Sequence, residues 1–112
     1  MATQCILATV KPNLTEKVVQ AAKQAGATGA TIITASGTGQ KEAKTFFGLS
    51  LDIRTEIILI LADETQVDPI LAAIHESGEF SKPGTGIAFV LPVEKTIGLE
   101  SQLAGGDRAA SG

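Results

Sequence analysis

The amino-acid sequence predicts an α+β sandwich in which a four-stranded antiparallel sheet carries two helices on one face. Four short apolar runs have the composition of β-strands, and two stretches between them repeat apolar residues at helical spacing. The resulting order is strand, helix, strand, strand, helix, strand. Right-handed crossovers then place both helices on the same side of the sheet. The chain has 112 residues, which suits one domain rather than two.

The strand predictions rest on composition and on the residues that end each run. The first strand, Cys5–Val10, stops at Lys11-Pro12 because proline rarely continues a central strand. The second, Ala30–Ala35, is rich in β-branched residues. Arg54–Leu61 is the most apolar run and predicts a central strand. The fourth strand is Ile87–Leu91.

The helix predictions rest on periodicity and on capping residues. Asn13 and Glu16 have the spacing of a capping box at the start of the first helix. Thr65 or Asp68 can cap the second helix, and Gly78 offers a left-handed stop. The complete order is the split βαβ arrangement, which predicts a ferredoxin-like βαββαβ sandwich.

Composition and the pattern of apolar residues argue against a membrane-spanning protein, a secreted protein and a nucleic-acid-binding protein. No apolar run approaches the roughly 18 residues of a membrane span, and the first residues lack the pattern of a secretory signal. We therefore expect a cytoplasmic protein without direct membrane insertion. The net charge of -3 and the absence of a Lys/Arg cluster argue against a nucleic-acid partner. We expect the domain to cover residues 1–103 and a flexible tail to cover residues 104–112.

Two helices cover only one face of the predicted sheet, yet the last two strands place apolar residues on both faces. These residues are Ile58, Ile60, Phe89, Leu91 and Val93. An apolar patch beyond a few hundred square ångströms rarely faces water in a monomer. The pattern therefore predicts a homo-oligomer in which other subunits cover this face.

The connection Ser36–Asp52 is longer than the structureless loops of most compact domains, and such loops are often functional. It opens with Gly37-Thr38-Gly39. A charged loop with an aromatic pair fits a hook that orders on contact with a partner. The alternative is that the two phenylalanines pack back onto the body. The candidate partner-binding residues are Lys44, Phe46 and Phe47.

A second glycine turn, Gly84-Thr85-Gly86, follows Lys82-Pro83 just before the fourth strand. Glycines allow close approach of a ligand to backbone N–H groups, as anion-binding nests require. The alternative is an ordinary tight connection.

Four features together resemble the P-II family of signalling proteins (nitrogen regulatory protein P-II), over about Ile6 to Leu99. They are the strand order, the Lys11-Pro12 exit from the first strand, Gly37-Thr38-Gly39 before a long loop, and the segment Gly84–Val93. The resemblance implies a trimer that holds an effector such as ATP or ADP in clefts between subunits. It also implies that the long loop docks on a target such as a membrane transporter or a metabolic enzyme. The effector-binding candidates carried over are Gly37, Thr38, Gly39, Lys41, Gly84, Thr85 and Gly86.

The chain departs from the family pattern where the family carries charged groups. Gln40 and Lys41 stand in place of arginine and glutamine, Thr85 in place of an acid, and Ile87 in place of a lysine. The other lost cations correspond to Asp52, Gly98 and Glu100. Each lost cation weakens a di- or triphosphate site, so a divergent member with a changed or lost effector is expected. The chain has no tyrosine, which excludes the tyrosine modification of some family members.

Catalytic residue types are scarce, and we predict that the protein is not an enzyme. The chain has one histidine and one cysteine; we expect Cys5 to pack in the core and His75 to be exposed on the second helix. No carboxylate spacing specifies a metal site. The rival prediction is a trimeric metal-binding protein of the divalent-cation tolerance type, in which Cys5 and His75 would matter. A structural assembly subunit without a ligand is a third possibility.

Overall fold

The computed structural model describes residues 2–35, 54–99 and 101, together with the backbone of two short strands at 45–46 and 49–50. The elements are β1 (Thr3–Val10), a 3-10 helix (Pro12–Leu14), α1 (Thr15–Gln24), β2 (Thr31–Ala35), β3 (Thr45–Phe46), β4 (Leu49–Ser50), β5 (Thr55–Asp63), α2 (Glu64–Ser77) and β6 (Ile87–Pro92). The long elements have the predicted order. β3 and β4 form a small separate hairpin within the long connection.

The main sheet is antiparallel, with the strand order β2-β5-β1-β6. β5 and β1 are central and β2 and β6 are outer strands, which confirms the prediction of a central strand at 54–61. Within the described part of the chain, no helix has the length and apolarity needed to cross a bilayer.

The core lies between one face of this sheet and the two helices. Alternate side chains of β1 and β5 point toward the helices, and Ile6, Ile58 and Ile60 have no exposed surface. The same core takes in Ala8, Val10, Val18, Val19, Ala22, Ala27, Val67, Ile70 and Ile74. Because residues of both helices and both central strands meet here, burial of this layer provides the main hydrophobic stabilisation of the fold.

The helix N-termini differ from the sequence predictions. Pro12 starts a 3-10 turn in which the Leu14 N–H donates to the Lys11 carbonyl at 2.8 Å, so Asn13 lies inside a turn and caps nothing. α1 begins at Thr15 without a side-chain cap. The predicted capping box at Asn13 is therefore wrong, because proline's fixed φ favours a tight turn at this point.

The N-cap of α2 lies two residues before the predicted cap at Thr65 and five before that at Asp68. β5 extends to Asp63, whose backbone is extended (φ −69°, ψ 146°) and whose carboxylate accepts the Thr65 N–H at 3.1 Å. Asp63 is the N-cap, and Thr65 is its donor. The hydroxyl of Thr65 also donates to the same carboxylate.

Gly78 ends α2, but it is not left-handed, since its φ is −85°. The left-handed residue is Glu79, with φ 58°. Position 78 requires glycine for a different reason, because a Cβ there would lie 2.5 Å from the ring of Phe80. The prediction of a left-handed stop at Gly78 is wrong by one residue.

Candidate functional site

The side of the sheet without helices is apolar, as the sequence predicts. Its side chains form three cross-strand rows: Leu61–Cys5–Leu91, Leu59–Leu7–Phe89 and Ile57–Thr9–Ile87. We call these nine residues, with Ile33 of β2 beside them, the helix-free face. Ile33 is 44% exposed, Phe89 39% and Leu91 46%. Ile33 lies on β2 and Phe89 and Leu91 lie on β6, so exposed apolar side chains occur at both edges of this face, as at surfaces that bind another chain.

Cys5 lies on the helix-free face and is partly exposed, so the prediction that it packs in the core is wrong. The pairing register decides this, because it places Cys5 between Leu61 and Leu91 rather than under the helices. Burial raises the pKa of the Cys5 thiol. His75 is exposed on α2, on the other side of the sheet. One chain therefore does not bring Cys5 and His75 together.

The second glycine turn is held by the side chain between its glycines. Thr85 is 6% exposed, and its hydroxyl lies 2.7 Å from the carbonyl oxygen of Glu79 and 2.9 Å from that of Lys82. Its side chain therefore braces the turn from inside. Gly84, by contrast, is exposed with φ +77°, and a Cβ there would have no neighbour within 4 Å. The turn thus presents backbone at its surface.

Gly86 joins this turn to the sheet. A Cβ at Gly86 would overlap the Thr9 carbonyl oxygen and lie 2.7 Å from the ring of Phe80. The next residue, Ile87, donates its N–H to the hydroxyl of Thr9 at 3.2 Å. Glycine is required here because the backbone passes directly over β1.

β2, which precedes the first predicted glycine turn in the sequence, ends at the same end of the sheet at which β6 begins. Ala35, the last residue of β2, pairs with Thr55, and Ile87, the first residue of β6, pairs with Thr9. However, β5 and β1 lie between these outer strands, a width of about 14 Å. The meeting of the two turns therefore depends on the course of the chain after Ala35 or on a neighbouring subunit.

Several candidate residues fall outside the part of the chain that the structure describes. They are Gly37, Thr38, Gly39, Lys41, Lys44 and Phe47, together with the side chain of Phe46. The predicted tail 104–112, and with it the domain boundary at 103, also lies outside it.

Sequence reasoning missed a small cavity of about 150 Å³ at the opposite end of the sheet. Its walls include Gly26, Leu61, Asp63, Gln66 and Leu99. Gly26 has φ +122°, and a Cβ there would overlap the side-chain amide of Gln66. Hydrogen bonds from the side chain and N–H of Thr65 hold the pKa of Asp63 below its usual 3.8. The glycine after α1 and the aspartate before α2 were visible in the sequence, but not that both would line one cavity.

A family model described as "Nitrogen regulatory protein P-II" matches residues 3–102. The chain belongs to the P-II family. A relative from Methanothermobacter marburgensis, "Nitrogen fixation nifHD region GlnB-like protein 1", is 30% identical over 101 residues, which cover 89% of this chain and 96% of the relative. "Nitrogen regulatory protein P-II" of Azospirillum brasilense is 27% identical over 107 residues, with coverage of 91% and 96%. The family resemblance predicted from the glycine turns is confirmed, at the low identity of a divergent P-II protein.

Structure comparison agrees with this P-II assignment at the level of fold. The crystal structure of Arabidopsis thaliana PII bound to citrate superposes with a TM-score of 0.70 at 23% identity, covering 89% of this chain and 85% of that one. The predicted ferredoxin-like fold is thereby confirmed. The chain is a signalling protein of the nitrogen regulatory P-II type.

Proposed function

We propose that this P-II protein is a homotrimer that senses a small effector at clefts between subunits and regulates a partner through its long loop. The observation that carries the proposal is the helix-free face. Its three rows are apolar except for Thr9, and with Ile33 of β2 the face spans all four strands, while both helices lie on the other side. Trimers are typical of P-II proteins. In a trimer each of the three subunits would bury its helix-free face against the other two.

The proposed effector is an adenine nucleotide such as ATP or ADP, held at a seam between subunits. The proposed contacts are the backbone and side chains of Gly37, Thr38, Gly39, Lys41, Gly84, Thr85 and Gly86, with Thr85 acting by bracing its turn. The cavity at the far end of the sheet would border the same seam, because Leu61 belongs both to its wall and to the helix-free face. The citrate bound to the Arabidopsis relative supports binding of a small molecule by this fold.

The proposed output is regulation of a membrane transporter or a metabolic enzyme in the cytoplasm. Residues 36–52 would dock on that target, with Lys44, Phe46 and Phe47 as contacts. The small hairpin of β3 and β4 lies within this segment. P-II proteins are regulators rather than catalysts, and we assign no catalytic residue.

Sedimentation and loop deletion test this proposal together. At low micromolar concentration the full chain is expected to sediment as a trimer, because a monomer would expose the apolar helix-free face to water. A variant lacking residues 40–48 is expected to remain trimeric but to lose capture of the target in a pull-down from the source cell. A variant lacking residues 104–112 is the control and should keep both properties. A stable monomer, or full target capture by the loop deletion, would contradict the proposal.

A further inference from the structure

The side chain of Phe80 fills the space between the end of α2 and the start of β6. Its ring carbon Cε1 would lie 2.5 Å from a Cβ at Gly78 and 2.7 Å from a Cβ at Gly86. Real Cβ atoms do not approach other atoms this closely, so a larger residue at either position would displace the ring. Gly78 is the residue after α2, and Gly86 is the residue before β6. Both glycines therefore leave room for the same edge of one ring.

The backbone at the end of α2 brings Phe80 to this position. The Glu79 N–H donates to the Glu76 carbonyl, with 3.2 Å between nitrogen and oxygen. The Phe80 N–H donates to the His75 carbonyl at 3.0 Å, and the residue before it is left-handed with φ 58°. These two hydrogen bonds form a Schellman motif, whose left-handed residue is usually glycine because a Cβ is unfavourable there. The chain instead has glycine at position 78, where the ring needs the space, and retains a strained glutamate at position 79.

His75 and the core also contact the Phe80 ring. The rings of His75 and Phe80 meet edge to face, with centroids 6.3 Å apart and an interplanar angle of 64°. Aromatic pairs favour this arrangement over a face-to-face sandwich. Phe80 is half-buried and packs against the cluster of buried residues between the sheet and the helices. The ring is therefore held by contacts that lie outside the glycine turn that follows it.

The second glycine turn rests against this ring through Gly86. The backbone of Gly86 packs against both the ring of Phe80 and the carbonyl oxygen of Thr9 in β1. One residue earlier, the Thr85 hydroxyl holds the inside of the turn through hydrogen bonds to two carbonyl oxygens. The exposed backbone of Gly84 is thus placed by its neighbours, and the Phe80 ring links that placement to α2.

We propose that Phe80 is a positioning residue for the second glycine turn, whose ring fixes Gly84–Gly86 in the geometry that contacts the effector. The inference rests on the proposed function, in which this turn is one of the effector contacts. In this role Phe80 acts through the backbone of Gly86 rather than by touching the effector. A flat ring fits the slot that the two glycines leave, whereas the branched side chain of leucine would fill it incompletely. The turn of Phe80→Leu would therefore open more often.

Amide hydrogen exchange of the full-length protein, followed by NMR without ligand, tests this role. The reporters are the amides of Thr85 and Ile87, which donate to the Lys82 carbonyl and to the Thr9 hydroxyl. Phe80→Leu is expected to accelerate their exchange by about two- to ten-fold, the factor that corresponds to loss of an aromatic contact. His75→Ala removes the ring that meets Phe80 edge to face and should accelerate the same two amides by a smaller factor.

Two variants serve as controls. Val67→Ala removes buried methyl groups in the first half of the same helix, so it should lower the thermal midpoint without changing exchange at the two reporters. Glu79→Gln removes the ion pair with Lys82 but keeps the ring, and it should also leave their exchange unchanged. Equal exchange in wild type and Phe80→Leu would overturn the role of Phe80. Acceleration by either control as large as that by Phe80→Leu would overturn it as well.

Calorimetric titration with ADP connects the turn to the proposed effector. Phe80→Leu is expected to bind ADP more weakly than wild type, and Val67→Ala is expected to bind it equally well. Equal ADP affinity of wild type and Phe80→Leu would contradict the positioning role. Absence of ADP binding by wild type would contradict the proposed nucleotide effector instead. The exchange measurement would then still decide the role of Phe80 in the turn, because it is made without ligand.

Discussion

Leu59 and Ile60 are neighbours in β5, yet Ile60 has no exposed surface while Leu59 lies partly exposed on the opposite face of the sheet. The same contrast runs across the whole sheet. Ile6 and Ile58 are sealed under the helices, whereas Phe89 and Leu91 keep 39% and 46% of their surface exposed. Both faces are apolar, but among the residues that the structure describes only one is covered. One face therefore builds the fold and the other is available for assembly.

The largest expected effect comes from placing a charge on the helix-free face. Phe89→Glu should convert the proposed trimer to monomers, because each of three seams would bury a carboxylate without a partner, which costs several kcal/mol per ion. Sedimentation at matched concentration measures the change. Ala72→Glu adds the same charge at an exposed position of α2 and should remain trimeric. Unchanged assembly of Phe89→Glu would show that this face is not the interface.

The next effect compares the two faces within one strand. Ile60→Ala should lower the free energy of unfolding by about 2 to 5 kcal/mol, because it leaves a cavity in a close-packed core. Leu59→Ala should act mainly on assembly, so its effect on thermal unfolding should grow as the protein is diluted. Urea denaturation and thermal scans at several concentrations distinguish the two. If Ile60→Ala and Leu59→Ala lowered stability equally and independently of protein concentration, the proposed difference between the two faces would be contradicted.

The smallest expected effect comes from removing the N-cap of α2, one of the two helices that pack on the covered face. Asp63→Ala should lower the thermal midpoint at pH 7 by less than Ile60→Ala, because only the capping contact with Thr65 is lost. The pKa of Asp63 is lowered in the fold, so its contribution is present above the ordinary value of 3.8 and is lost as the pH falls through the folded-state pKa. The difference from wild type should therefore shrink in acid.

Asp68→Ala is the control for this cap, since Asp68 lies within α2 rather than at its N-terminus. Its midpoint should stay close to that of wild type throughout the same pH series. A gap between Asp63→Ala and wild type that widened in acid would contradict the capping role.

Much of the fold could be predicted because local pattern and fold agree. β-branched runs became strands, and helical periodicity became α1 and α2. The errors occurred where a local signal competed with a neighbour in space. Gly78 is small because Phe80 packs against it, and Asp63 became the cap because β5 runs on to it before α2 begins.

Part of the candidate site could likewise be predicted from the sequence, and part of it could not. The position of Gly84 and Gly86 in a turn before the last strand followed from the sequence. The pairing of Lys82 with Glu79 was not predicted, although the two residues are only three apart, because it depends on the left-handed backbone of Glu79 and the brace of Thr85. The cavity beside Gly26 joins the end of α1 to the start of α2, and no local pattern encodes such a contact.

The sequence by itself determined the order of the elements and the presence of more apolar sheet surface than two helices can cover. Only the tertiary structure decided which residues lie on the uncovered side. In a run such as Cys5–Val10 or Ile57–Leu61, both alternating sets of side chains are largely apolar, so periodicity cannot distinguish the two faces. The pairing register and the position of the helices make that choice, and they place Cys5, Leu7 and Leu59 on the face without helices.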